Sequence, residues 1–276
     1  MKTRIIVAAI GIPLLLVVIF ALPLWTFALL AAAICAIAAW ELIKCAAPEA
    51  GIRLRIYAMA SAAMIALGAA FELRDNLTYT AIFLLFLLCF CEIMLTFRHE
   101  EHMSFRTAAV VFVAGALIPL LLSAAVRIGN VPEKRGWFLL LPFVVAFSSD
   151  SGAYFAGSFL GKHKLVPHLS PKKTIEGSIG GFASTIIMLV IYGVVLKLMH
   201  FEVSFLLLVV YGFLGSLVCQ LGDLAFSSIK REFGIKDYGN LLPGHGGALD
   251  RFDSMVFVAP LVEVLMLWAP AFSVGG

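Results

Sequence analysis

A chain of 276 residues that is 62% hydrophobic and only 13% charged, with a mean hydropathy of +1.03, lies outside the range of soluble globular proteins. Its net charge of +3 says little as a total and gives no reason to expect a nucleic-acid partner. The composition calls for an all-α, polytopic membrane protein, because only helices or closed barrels satisfy their backbone in lipid and the apolar runs here are helix-length.

In chain order, the runs predict about nine transmembrane helices, near 5–22, 24–40, 57–72, 78–97, 107–126, 137–160, 177–199, 204–228 and 252–272. The first, "MKTRIIVAAIGIPLLLVVIFALPLW", has the basic end and apolar stretch of a signal peptide. No A-x-A site follows it, and it reads as a retained first span. Pro23 marks a tight connection to the second. The cysteines at 35, 45, 89, 91 and 219 mostly fall inside apolar runs and read as small core residues.

Fifteen of the 20 Lys and Arg residues fall on the side of the N-terminus under this count. The positive-inside rule then places the N-terminus in the cytoplasm and the C-terminus on the opposite side. Two charged loops, 161–176 and 229–251, face the cytoplasm. The pattern divides the chain into an N-terminal scaffold, 1–135 with spans 1–5, and a C-terminal catalytic region, 136–276 with spans 6–9 and both loops.

Five of the six aspartates lie in the C-terminal half: Asp150, Asp223, Asp237, Asp250 and Asp253. Asp150 sits well inside span 6, where an ionisable group costs a few kcal/mol or more unless paired or hydrated. Its neighbours Ser148, Ser149 and Ser151 suggest a wet cavity; an aspartate that fixes helix packing is the plainer alternative. Asp250 and Asp253 are three apart at the start of span 9 and are expected to share a helical face. Helix capping alone accounts for one of them. Clustered carboxylates need a cation among them, either Lys and Arg or a divalent metal. Aspartate with serine, water and phosphate oxygens suits Mg²⁺. Zinc is disfavoured, since His163 and His168 have no cysteine nearby.

The loop "GKHKLVPHLSPKKTIEGSIGG", 161–181, combines Lys162, Lys164, Lys172 and Lys173 with the hydroxyls of Ser170 and Thr174 and with glycines. It runs into span 7, whose N-terminus favours an anion. A basic juxtamembrane run also serves topology and lipid contact alone. "GSFLGKH" fails as a P-loop, because Ala156 and His163 stand where Gly and Ser/Thr are needed. "LPGHGG", 242–247, brings Gly246 and Gly247 into a flexible loop whose N–H groups can approach an anion. Together these features fit metal-assisted phosphate chemistry at a membrane surface.

"SSIKREFGIKDYGNLLPGHGGALDRFD", 227–253, resembles the signature of the phosphatidate cytidylyltransferases, or CDP-diacylglycerol synthases. "QLGD" before it and "DSGAYFAGSFLGKHKLVPHLSPKKTIEG" earlier are also similar to that family. Ser158 departs from the expected Arg. The likeness is strong over 140–255 and weak before it.

The resemblance implies CTP and phosphatidate as substrates, CDP-diacylglycerol and pyrophosphate as products, and no covalent enzyme intermediate. It implies Asp223 and Asp250 as metal ligands; to these the carboxylate pattern adds Asp150 and Asp253 as supporting or second-metal candidates. Ser170, Lys172, Lys173 and Thr174 would bind phosphate groups. Lys230, Arg231, Lys236 and Arg251 would neutralise the triphosphate or pyrophosphate, and His245 would orient phosphate. Asp237 reads as a loop organiser. The family also implies Mg²⁺, admits a second, monovalent cation such as K⁺, and suggests a homodimer. A bacterial plasma membrane is the expected location. The rivals are another membrane phosphotransferase acting on a lipid phosphate and a polar-cavity transporter. A transporter would predict repeats in both halves, whereas these motifs occupy one half.

Overall fold

The computed structural model of the protein describes residues 2–71, 74–97, 103–131, 134–240 and 246–274. It is helical as expected, and each of the nine predicted runs carries a helix. Six helices among the described residues are long and apolar enough to cross a membrane. The chain forms two compact units, Met1–Asn130 with Glu232–Phe252, and Val131–Arg231 with Asp253–Gly276.

In the first unit, α1 (Lys2–Phe20) and α2 (Leu24–Ala46) are separated by a short turn at Pro23. Alanines at 28, 31, 32, 38 and 39, with Cys35, are buried on α2, and Ala58, Ala62 and Ala66 are buried on α3 (Ile52–Gly68). Small side chains let helix backbones approach closely where lipid offers no hydrophobic drive. The expected end of span 2, at residue 40, is too early: α2 runs six residues further, through Glu41 and Lys44. The charge of Glu41 does not end the helix, because its carboxylate is satisfied by the backbone N–H groups of Ala248 and Leu249.

The third helix starts at Ile52 rather than 57. Arg55 stacks over Trp40 and donates to the carbonyls of Ala50 and Pro48, at 3.0 and 2.7 Å. Those bonds satisfy the guanidinium in the turn that joins α2 to α3. After α4 (Arg74–Thr96), the fifth run is a continuous but irregular helix. It comprises α5 (Phe105–Phe112), a π-helical turn at Val113–Leu117, α6 (Ile118–Leu122), α7 (Ala124–Arg127) and a 3₁₀ turn to Asn130. Gly115 lies in the π turn, where a Cβ would fall 2.7 Å from both the Ala58 backbone and the Leu85 side chain. The widened turn thus lets three helices meet at one point.

The second unit is built on α8 (Arg135–Leu160) and α9 (Ile175–Leu198). Their crossing is lined by Gly152, Ala153, Ala156 and Gly157 on one side and Gly177, Gly180, Gly181 and Ser184 on the other. A Cβ on Gly180 would collide with Ala156. Gly157 and Gly161 lie against Thr174 at the start of α9, where a Cβ would crowd its side chain. Between the two helices lies a hairpin that an all-α reading does not include: β1 (Lys164–Val166) pairs antiparallel with β2 (Ser170–Thr174).

At the other end of α9, β3 (Phe201–Val203) precedes α10 (Phe205–Glu232). It pairs with β4 (Phe272–Val274), the last described segment. Phe138, Tyr192, Phe201 and Phe272 cluster beside that pair. The ninth run is not one helix. A single turn, α11 (Leu249–Phe252), is separated from α12 (Met255–Trp268) by two turn residues.

Candidate active site

Each unit carries one of two polar groups. In the second unit the hairpin delivers Lys173 to Asp223 on α10, with Nζ 2.7 Å from Oδ2. Alternation along β2 separates the lysines: Lys172 is exposed and Lys173 half-buried. Ser170 opens the strand. Thr174 ends it as the N-cap of α9, and its buried Oγ1 accepts from Gly177 N at 3.1 Å. Gly157 and Gly161 lie against that hydroxyl. Thr174 thus holds the start of α9, beside which the lysines lie, by accepting one N–H, and its O–H is not used in that bond. Glu176 completes the frame by accepting from the N–H groups of Lys162 and His163 and bonding His163 Nδ1 at 2.6 Å.

Further along α10, Ser227 Oγ donates to the other oxygen of Asp223 at 3.3 Å. One helical turn beyond Phe226, which packs edge-on against Phe257, Lys230 reaches Asp253 at 3.9 Å. Both of those charged side chains are nearly buried. Asp253 also lies within electrostatic range of Asp223 and Asp150.

Asp150 is exposed midway along α8, with Cys219 Sγ 3.6 Å from its Oδ1. The serines around it divide. Ser149 is fully buried and bonds Ser216 at 2.9 Å, while Ser148 donates to its own helix at Val144 O, 2.6 Å away. These two serve packing rather than a wet cavity; Ser151 and Asp150 are the exposed members. Arg231, at the end of α10, is exposed.

In the first unit, Asp250 is buried although charged residues rarely are. Its Oδ2 accepts from Tyr238 N at 2.7 Å and Gly247 N at 3.0 Å. Hydrogen bonds to a charged group contribute about 1.5–3 kcal/mol each, which offsets much of the desolvation. Gly246 has φ +86°, a conformation that other residues adopt only with strain, and a Cβ there would sit 3.0 Å from Asp250 Oδ2. Lys236, Asp237 and Arg251 are exposed around this loop. His245, with the rest of 241–245, lies outside the described residues.

Asp250 and Asp253 do not share an uninterrupted helical face. Asp253 Oδ1 takes the Ser254 N–H at 2.7 Å, the group that a continuous helix would direct to the Asp250 carbonyl. The helix breaks there, and the two aspartates belong to different units.

The residue that sequence reasoning missed is Glu41. It is buried on α2 and accepts from Ala248 N and Leu249 N at 3.0 and 2.9 Å. Gly239 and Gly247 lie against its carboxylate so closely that a Cβ on either would collide with it. The available signal was an acid at the end of an apolar run, "AAWELIK".

Among the described residues, no group of three or more His, Cys, Asp or Glu side chains converges as a ready metal cage. The donors near Lys173 and Lys230 are carboxylate and hydroxyl oxygens, which suit a hard ion. Such a donor set fits Mg²⁺ held by one or two carboxylates together with substrate phosphates, and not an all-protein cage.

The profile of the cytidylyltransferase family matches residues 2–269. The chain belongs to that family. Three proteins named phosphatidate cytidylyltransferase are similar to it. Those of Staphylococcus haemolyticus and Staphylococcus saprophyticus are 47% and 45% identical over 130 residues, and that of Staphylococcus aureus strain COL is 47% identical over 131. Each alignment covers 47% of this chain and 49% of the relative, so the match spans about half the length of these relatives.

Proposed function

We propose that the protein is a phosphatidate cytidylyltransferase, joining CTP and phosphatidate to give CDP-diacylglycerol and pyrophosphate. The observation that carries this reading is the Lys173–Asp223 pair, held at 2.7 Å between the β1–β2 hairpin and α10 in a member of the cytidylyltransferase family. The names of the similar staphylococcal proteins support the lipid substrate.

In the proposed reaction a phosphate oxygen of phosphatidate attacks the α-phosphorus of CTP. A P–O bond forms there, and the bond to the bridging oxygen of the β-phosphate breaks. Pyrophosphate leaves with that electron pair. The attacking phosphate is already largely ionised, so no strong general base is required. Asp223 and Asp250 would hold Mg²⁺, with Asp253 and Asp150 in support and a second, monovalent cation such as K⁺ as a further candidate. The bound metal would supply charge neutralisation and alignment of the phosphates.

Ser170, Lys172, Lys173 and Thr174 would bind phosphate oxygens at the start of α9, whose N-terminus Thr174 also caps. Lys230, Arg231, Lys236 and Arg251 would neutralise the triphosphate and the departing pyrophosphate. Gly246 and Gly247 would let the backbone approach an anion, and His245 would orient it. The charge asymmetry of the loops supports a cytoplasmic active site, and the bacterial relatives support a bacterial plasma membrane. A homodimer is the proposed assembly.

Purified protein supplied with labelled CTP and phosphatidate should form labelled CDP-diacylglycerol and release pyrophosphate. Folded protein that gives neither product would overturn the assignment. Uptake of a solute by proteoliposomes without CTP turnover would favour a transporter.

A further inference from the structure

We infer that Glu41 is a positioning residue for Asp250: a carboxylate on a membrane helix that holds the loop carrying a proposed metal ligand. Its functional consequence rests on the cytidylyltransfer reading above. Three successive backbone N–H groups are directed at carboxylates. Gly247 N meets Asp250, while Ala248 N and Leu249 N meet Glu41. Asp250 follows directly in the chain and also grips Tyr238 N. Glu41 therefore anchors the backbone on which Asp250 stands, and Asp250 ties that backbone to the other limb of the loop. Gly239 and Gly247 leave room for the Glu41 carboxylate.

The arrangement requires a carboxylate of this length. Glutamine offers one acceptor oxygen and turns an NH₂ group toward the second N–H, and aspartate is one methylene shorter. Glu41 and Asp250 also lie within electrostatic range of each other. A cation bound at Asp250 is thus favoured by both negative charges.

The experiment compares full-length wild type with Glu41→Gln and Gly239→Ala in detergent. Free Mn²⁺ is followed by paramagnetic resonance during titration with CTP present and lipid absent. Mg²⁺ dependence of turnover and amide exchange over 246–252 are measured on the same samples. Loss of a group that orients a metal ligand typically costs about 10–100-fold in metal affinity. Glu41→Gln should weaken Mn²⁺ binding and raise the half-saturating Mg²⁺ to that extent. The KM for phosphatidate at saturating Mg²⁺ should change less than about twofold, since metal alignment and lipid binding separate in such a comparison.

Exchange at Ala248 and Leu249 should accelerate. Gly239→Ala, which crowds the same carboxylate without removing it, should shift all three readouts in the same direction. Unchanged Mn²⁺ affinity in folded Glu41→Gln would overturn the inference, as would a loss of turnover matched only by a lower melting temperature. Wild type that binds Mn²⁺ and makes no CDP-diacylglycerol would overturn the proposed reaction, while the Mn²⁺ and exchange measurements would still decide the role of Glu41.

Discussion

The ammonium of Lys173 lies 2.7 Å from Asp223 Oδ2, so the last residues of a short hairpin are tied to the long helix α10. Neither side chain is fully exposed. Lys173→Ala removes the cation while leaving the hairpin ladder intact. Because a preorganised charge aimed at developing negative charge contributes about 10²–10³ in rate, turnover should fall by about that factor. Steady-state kinetics would check this, and a loss below about tenfold would assign the pair to structure alone.

Gly246 should not accept a side chain. Its φ of +86° and the nearness of Asp250 Oδ2 both oppose a Cβ. Gly246→Ala should cost about 1–2 kcal/mol from the left-handed backbone and lower turnover by disturbing Asp250. Thermal unfolding and activity measured together would show both effects.

The α8–α9 crossing should be intolerant of volume. Gly180→Val would drive a branched side chain into Ala156. Overpacking of this kind costs about 1–3 kcal/mol, and the variant should unfold at lower temperature in detergent.

Glu49 lies in the turn between α2 and α3, and its carboxyl is held below the usual carboxylate range, chiefly by the hydroxyl of Thr107, which donates to it at 2.6 Å. A carboxyl depressed by folding adds stability above its unfolded pKa. That stability is lost as pH falls through the folded pKa. Thr107→Val should therefore lower the melting temperature at neutral pH, and the gap from wild type should narrow as the medium is acidified below about pH 4. Melting curves between neutral and acid pH would test it.

Helix placement is largely legible in the sequence because apolar runs of bilayer length leave few alternatives. The errors lie where polar side chains find distant partners. Residue 40 reads as the end of span 2 because Glu41 is charged, yet its partners stand 207 and 208 positions away. Asp250 and Asp253 read as neighbours on one helical face, but the Ser254 amide turns to the Asp253 carboxylate and the helix stops. Lys173 and Asp223 are both legible as site candidates. Their pairing is not, since it depends on which face of β2 meets α10. The hairpin is hidden because "KLVPHLSPKKT" reads as a basic loop.

The decisive assay is CDP-diacylglycerol formation from CTP and phosphatidate, with and without Mg²⁺, in wild type, Asp223→Asn and Asp250→Asn. Mg²⁺-dependent product is expected from wild type, abolished by chelation and by either substitution in folded protein. Undiminished product from both variants would refute the assignment of the metal to Asp223 and Asp250, and no product from folded wild type would refute the reaction itself.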